Sequence, residues 1–189
     1  MTELWLIRHG QTDWNLEGRY QGQADMPLNA TGLAQAQAFA ASLDGRKFSA
    51  LYSSDLMRAY QTAQIIAAQV GLAVQTDRRL REINQGEWQG RTLVEIRAVY
   101  NEGKQAHRSQ IDPATARAPG GESVLEVSQR MALASDDIAR AVPTGPVLVV
   151  GHGLALATLY CQAKGIALSE VYLHIAENTQ AAVIEWPRN

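Results

Sequence analysis

The chain has 189 residues, 46% of them apolar, with 17 basic against 19 acidic side chains and a formal net charge of -2. That length suits one large domain or two small ones, and the near-neutral balance leaves no electrostatic footprint for nucleic acid or an anionic membrane. Cys161 is the only cysteine, which excludes an intrachain disulfide and gives no sign of an oxidising compartment. No apolar run is long enough to span a bilayer. Residues 1–3 enter the first strand with no basic leader, so a soluble, cytoplasmic globular protein is expected.

The predicted elements alternate. Residues 3–8 form a short apolar run suited to a parallel strand buried on both faces. Residues 10–30 read as polar loop. An alanine-rich helix follows over about Thr31–Leu43. A strand at 48–52 leads to Ser53 and Ser54, two candidate N-caps for a helix through 55–70. Its apolar stripe is Leu56, Tyr60, Ala63, Ala67 and Val70, at the spacing of one helical face. Arg58 lies off that stripe. Gly71 ends the helix and residues 72–76 make a third strand. The order βαβαβ argues for a parallel sheet covered by helices.

Beyond it, residues 78–91 are irregular, and 92–100 are a helix. Residues 101–121 carry two prolines, three glycines and mixed charges, and are expected to be a surface excursion or lid. A long helix spans 122–142. Then come a strand at 147–151, a helix near 154–164, and strands near 171–175 and 181–186. No repeat or linker interrupts the chain, so one domain, 1–189, is expected. Its fold class is α/β: a three-layer α/β/α sandwich around a mostly parallel sheet.

Two apolar runs end in the same way. "LWLIRHG" (4–10) and "VLVVGHG" (147–153) each deliver a His-Gly pair at a strand end. In open α/β sheets ligands bind where the carboxyl ends of strands converge. His9 and His152 can therefore face one another across one crevice, each followed by a glycine that admits close approach. Arg8 comes from the first strand end and Arg58 from the start of a helix. Two guanidinium forks, two imidazoles and a helix N-terminus make a cationic pocket whose natural guest is a phosphoryl group. One imidazole then serves as nucleophile and the other as a charged donor to the transferring oxygens. Glu82 follows the third strand at the same sheet edge and is the favoured proton donor, with Glu87 and Glu122 as rivals. Trp14 and Trp88 are candidate pocket walls. Lys104, Arg108 and Arg117 are candidate contacts for a second anionic group.

"LIRHGQTDWN" resembles the signature of the histidine phosphatase superfamily, the phosphoglycerate-mutase-like fold. "YSSDLMRAYQTA", "LREINQGEWQG", "PGGES" and "VVGHG" look like the later blocks of that family, in order. The resemblance implies that His9 is phosphorylated during turnover, that Arg8, Arg58 and His152 complete the phosphate pocket, and that Glu82 is the acid. It further implies secondary contacts from Asn15, Gln21, Gly22 and the backbone N–H of Gly153, and neither a metal nor a cofactor.

The family contains phosphatases and mutases. The stretch "REINQGEWQG" and a short, mixed-charge insertion depart from the mutase pattern and favour a phosphatase of small soluble phosphomonoesters. Phosphoglycerate mutase-type transfer, alpha-ribazole phosphatase and fructose-2,6-bisphosphatase are the alternatives. A catalytically idle phospho-ligand module is disfavoured because every expected position is present. A metallohydrolase is disfavoured because the four histidines lack metal-ligand spacing. A small phosphorylated metabolite is the expected partner, without nucleic acid or membrane, and a free sheet edge leaves room for a homodimer.

Overall fold

The structure, a computed structural model, describes residues 1–100 and 112–187. Strands β1 (Thr2–Arg8), β2 (Ala50–Ser53), β3 (Val74–Thr76), β4 (Val147–Gly151) and β5 (Ala181–Trp186) form one sheet in the order β3-β2-β4-β1-β5. The first four run parallel and β5 is antiparallel to β1. Every residue of central β4 is buried, which is why its sequence is apolar throughout rather than alternating.

Side chains leave a strand on alternate faces, and the two faces carry separate cores. Leu4, Leu6, Val147 and Val149 pack with α5 (Val124–Ala141) and α6 (Gly153–Lys164). Ile7, Leu51, Leu148 and Val150 pack with α2 (Ala30–Ser42) and α3 (Met57–Val70). The result is the expected α/β/α sandwich. A short helix, α1 (Asp13–Leu16), follows β1, and α4 (Leu93–Tyr100) lies between β3 and α5 in the chain. Among the described residues no helix is long and apolar enough to cross a membrane.

Several expectations are corrected. Residues 171–175 are not a strand but part of a 3-10 helix, Leu168–His174. Val171 is buried, while Tyr172 and Leu173 are exposed, and β5 already occupies the edge of β1. The stripe on α3 holds at Leu56, Ala63, Ala67 and Val70, which are buried or packed on the core, but not at Tyr60. Tyr60 is exposed, and the buried face is Ala59, Ala63 and Ile66, together with Arg58 and Thr62. Hydrophobic periodicity does not count an arginine as interior. Neither Ser53 nor Ser54 occupies the N-cap position of α3, which falls to Leu56. The Met57 N–H donates instead to Asp25 Oδ1, from a different loop. The loop at 10–30 contains α1, whose Thr12–Asn15 capping box was missed.

Residues 101–111 of the expected excursion lie outside the described residues. Ala118 is buried, and the Pro119 carbonyl accepts the Glu87 N–H. A methyl group on Gly86 would lie 2.0 Å from that carbonyl oxygen. Residues 118–121 are therefore docked on the 84–87 segment rather than projecting from it.

Close backbone approach also fixes the loop after β1. A methyl group on Gly10 would meet the Gly32 carbonyl at 2.4 Å, and one on Gly32 would meet the Gln11 carbonyl at 2.1 Å. The first turn of α2 thus rests directly on the residues that follow His9. Gly32→Ala is expected to push them apart at a cost of about 1–3 kcal/mol. Thermal melting should show a lower Tm, and kcat/KM should fall with it.

Candidate active site

Register places the two histidines. Arg8 of β1 sits opposite Gly151 of β4, so the next residues, His9 and His152, leave neighbouring parallel strands at the same edge. The His9 N–H donates to the Gly151 carbonyl at 3.0 Å, and the two ring centroids are 5.2 Å apart. Ser53 of adjacent β2 sits opposite Val150, which brings Ser54 to the same edge. Both histidines are buried.

Hydrogen bonds set their tautomers. His9 Nδ1 lies 2.6 Å from the Gly10 carbonyl. A carbonyl only accepts, so Nδ1 carries the proton and Nε2 keeps its lone pair. His152 Nε2 lies 2.8 Å from Ser54 Oγ, which also accepts the Leu56 N–H. Where the Ser54 hydroxyl donates to Nε2, the ring N–H falls on Nδ1. Burial, then Arg58, then Arg8 hold His9 well below its ordinary value, against the opposing Gly10 hydrogen bond. Burial, Arg58 and His9 do the same to His152. The expected charged donor is thus a neutral imidazole in the free protein, still able to donate through Nδ1.

The cations are the two arginines. Arg58 is 1% exposed, and its two terminal nitrogens donate to the carbonyls of Ala24 and Gly22 at 2.7 Å each. Arg8 Nη1 donates to the Ala176 carbonyl at 2.7 Å. Burial lowers the pKa of Arg8, opposed by Glu82 and Glu177. Burial lowers Arg58 to about 10, opposed by Glu82 and Asp25 and assisted by Arg8. Both stay cationic at neutral pH. Among the described residues Arg8 Nε, Arg58 Nε and His152 Nδ1 are buried with no hydrogen-bond partner. Orphaned buried polar atoms cost about 1–3 kcal/mol each, so these three are left open to a ligand.

Arg8, His9 and Arg58 line a cavity of about 300 Å³ together with Asn15, Gln21, Gly22, Glu82 and Gly153, whereas His152 is fully buried against the His9 ring and is not part of the lining. The Glu82 carboxylate accepts from its neighbour Ile83 N–H at 2.9 Å and from the Ala155 and Leu154 N–H groups at 3.0 and 3.2 Å. It is seated on the N-terminus of α6, where anions are favoured. Neither rival lines the cavity. Glu122 pairs with Arg130, and Glu87 joins the segment on which 118–121 docks. Asn15 lines the cavity and also serves the capping box through Oδ1. Gln21 brings a buried, unpartnered Oε1.

The aromatic walls differ from those expected. Tyr20 and Tyr172 line the cavity. Trp88 instead stands edge-on to Tyr20 and Trp14 covers Gly90. Arg117 pairs with Glu126 away from the cavity, whereas Lys104, His107 and Arg108 lie outside the described residues. His174 lies beside the Tyr160 ring, and Cys161 is buried in α6. Sequence reasoning missed Ser54 as a histidine partner, Thr62, whose Oγ1 accepts the Gly10 N–H, and Asn178, which donates to the His9 carbonyl. No periodicity or spacing marks these three. Among the described residues no three His, Cys, Asp or Glu side chains are grouped to hold a metal ion.

The comparison with known proteins agrees with this geometry. The sequence pattern of the histidine phosphatase superfamily (branch 1) matches residues 4–189, and the chain belongs to that family. A probable phosphoglycerate mutase of Proteus mirabilis is 38% identical over 168 residues, covering 88% of this chain and 76% of that protein. Mycobacterial glucosyl-3-phosphoglycerate phosphatase, solved with VO3, is similar with a TM-score of 0.86 at 33% identity, over 97% of this chain and 90% of that one. The alpha-ribazole phosphatase of Shigella flexneri gives a TM-score of 0.86 at 27% identity, over 97% and 90%.

The lowered histidines make a pH prediction. Below about pH 6.5 the unfolded chain takes up protons at both positions while the native chain does not, so their contribution to stability falls as pH falls. The stability advantage of the wild-type chain over a His9→Asn/His152→Asn variant should shrink between pH 7.5 and 5.5. Denaturant titration at each pH measures it.

Proposed function

We propose that the chain is a phosphatase that hydrolyses phosphate monoesters of small soluble metabolites through a phosphohistidine on His9. The observation that carries this reading is the set of unpartnered donors on Arg8, Arg58 and His152, gathered beside the His9 ring. Two guanidiniums balance the two negative charges of a monoester, and the neutral His152 adds a donor without adding charge. Asn15, Gln21, Gly22 and the Gly153 N–H supply the remaining polar rim.

In the reaction, His9 Nε2 attacks phosphorus in line with the ester oxygen. Glu82, in its acid form, delivers a proton to the leaving oxygen as the ester bond breaks. Water then attacks the phosphohistidine, with Glu82 as base, and releases inorganic phosphate. Catalysis is positioning and charge stabilisation throughout. The phosphatase relatives support hydrolysis. The mutase relative shares the first half of the chemistry and differs in passing the phosphoryl group to a bound acceptor rather than to water.

An acid-labile, alkali-stable phosphoenzyme is expected on rapid quenching with a labelled monoester, and it should vanish in His9→Ala. A label trapped on any other residue overturns the mechanism. Arg58→Gln should lower kcat/KM by roughly 10²–10³, by analogy with loss of one oxyanion donor. A panel of phosphorylated metabolites ranked by kcat/KM, with water-derived phosphate and transferred phosphoryl counted separately, decides between hydrolysis and mutase-type transfer.

A further inference from the structure

One charged side chain outside the cavity is engaged at every one of its donors. Arg130, on α5, has a guanidinium with five N–H groups. Nε donates to Glu122 Oε1 at 2.9 Å. One terminal nitrogen donates to the Arg79 and Arg81 carbonyls at 2.7 and 2.6 Å. The other donates to the Glu82 carbonyl at 2.9 Å and to Glu122 Oε2 at 3.0 Å. Three of the five bonds therefore go to main-chain oxygens of the short segment that presents Glu82.

That segment has no sheet ladder of its own. β3 ends at Thr76, and only a single 3-10 turn, Arg78–Leu80, precedes Glu82. Glu122 extends the same brace to the far side, because its Oε2 accepts the Asn84 N–H at 2.8 Å and its own N–H donates to the Asn84 carbonyl at 2.9 Å. The second lone pair of the Glu82 carbonyl takes Gln23 Nε2 at 3.0 Å. The carboxylate is meanwhile seated on the first turn of α6. Gln162 of α6 donates to the Ser128 carbonyl and hydroxyl of α5. The main chain of Glu82 is thus held from α5, its carboxylate from α6, and the two helices are tied together.

We infer that Arg130 is a positioning residue for the proton donor: it fixes the backbone of residues 79–82 so that the Glu82 carboxylate meets the leaving oxygen. This rests on the reading of Glu82 as the acid. A loose carboxylate loses proton transfer long before it loses phosphate binding, since a misplacement of about 1 Å is enough to cost about 10² in rate. Lysine does not replace the fork, having three donors on a single nitrogen.

The test compares kcat/KM, which reports the steps through leaving-group departure, for p-nitrophenyl phosphate and glycerol 2-phosphate. The first has a leaving group that needs little protonation and the second an alkoxide that needs it fully. Arg130→Met should lower kcat/KM on glycerol 2-phosphate at least about tenfold more than on p-nitrophenyl phosphate. Arg130→Lys should fall between it and wild type. Glu82→Gln, run alongside, should show the same selectivity more strongly. An equal loss on both substrates, as from a misfolded or loosened chain, overturns the inference, and so does no loss. If Glu82→Gln is itself unselective, the assignment of the acid falls instead. If only the Arg130 variants are unselective, the brace alone falls.

Discussion

Two guanidiniums at one edge of a parallel sheet, Arg58 buried and Arg8 half-buried, constrain everything around them. Charges removed from water are costly unless each donor finds a partner. Arg58 meets that demand with the carbonyls of Gly22 and Ala24, and Arg8 with that of Ala176. Those carbonyls belong to the loops that form the cavity wall, so the cations shape the pocket as well as charge it. The donors left over are the ones that, in the proposed function, a tetrahedral anion takes up. The same field, with burial, keeps both imidazoles neutral, which is the state a nucleophilic histidine needs. Charge on the arginines and neutrality on the histidines are one arrangement seen from two sides.

His9, the proposed nucleophile, is held from three directions. The Asn178 side chain donates to the His9 carbonyl, the Thr179 N–H donates to the Arg8 carbonyl, and Thr62 accepts the Gly10 N–H. Thr179 has φ of 57°, a left-handed conformation that costs a β-branched residue about 1–2 kcal/mol. The turn at 176–179 spends that strain where it grips the end of β1. Glu82, the proposed acid, is held at its main chain from α5 and at its carboxylate from α6.

Much of this was legible in the residues. The apolar strand runs ending in His-Gly, the βαβαβ order and the family-like blocks led to the sandwich and to Arg8, His9, Arg58, Glu82 and His152, all of which the fold gathers at one sheet edge. The failures have physical causes. Residues 171–175 have strand-like composition, but the edge they would join belongs to β5. Arg58 was placed off the face of α3 that turned out to be buried, because its burial is made possible by carbonyls more than thirty residues away. Trp14 and Trp88 were expected at the walls, where Tyr20 and Tyr172 stand. Ser54 looked like a helix cap and is a histidine partner, since β2 and β4 are neighbours only in the folded sheet.

By itself the sequence determined what is local or periodic: the buried strands, the helices between them, the glycines that permit contact, and the chemical types available for phosphoryl transfer. Tertiary structure alone decided which imidazole nitrogen is free, that both rings are uncharged, and which glutamate faces the cavity. Those properties depend on distances between residues brought together by strand register and helix packing, and hydrogen bonds and electrostatic fields act through space rather than along the chain.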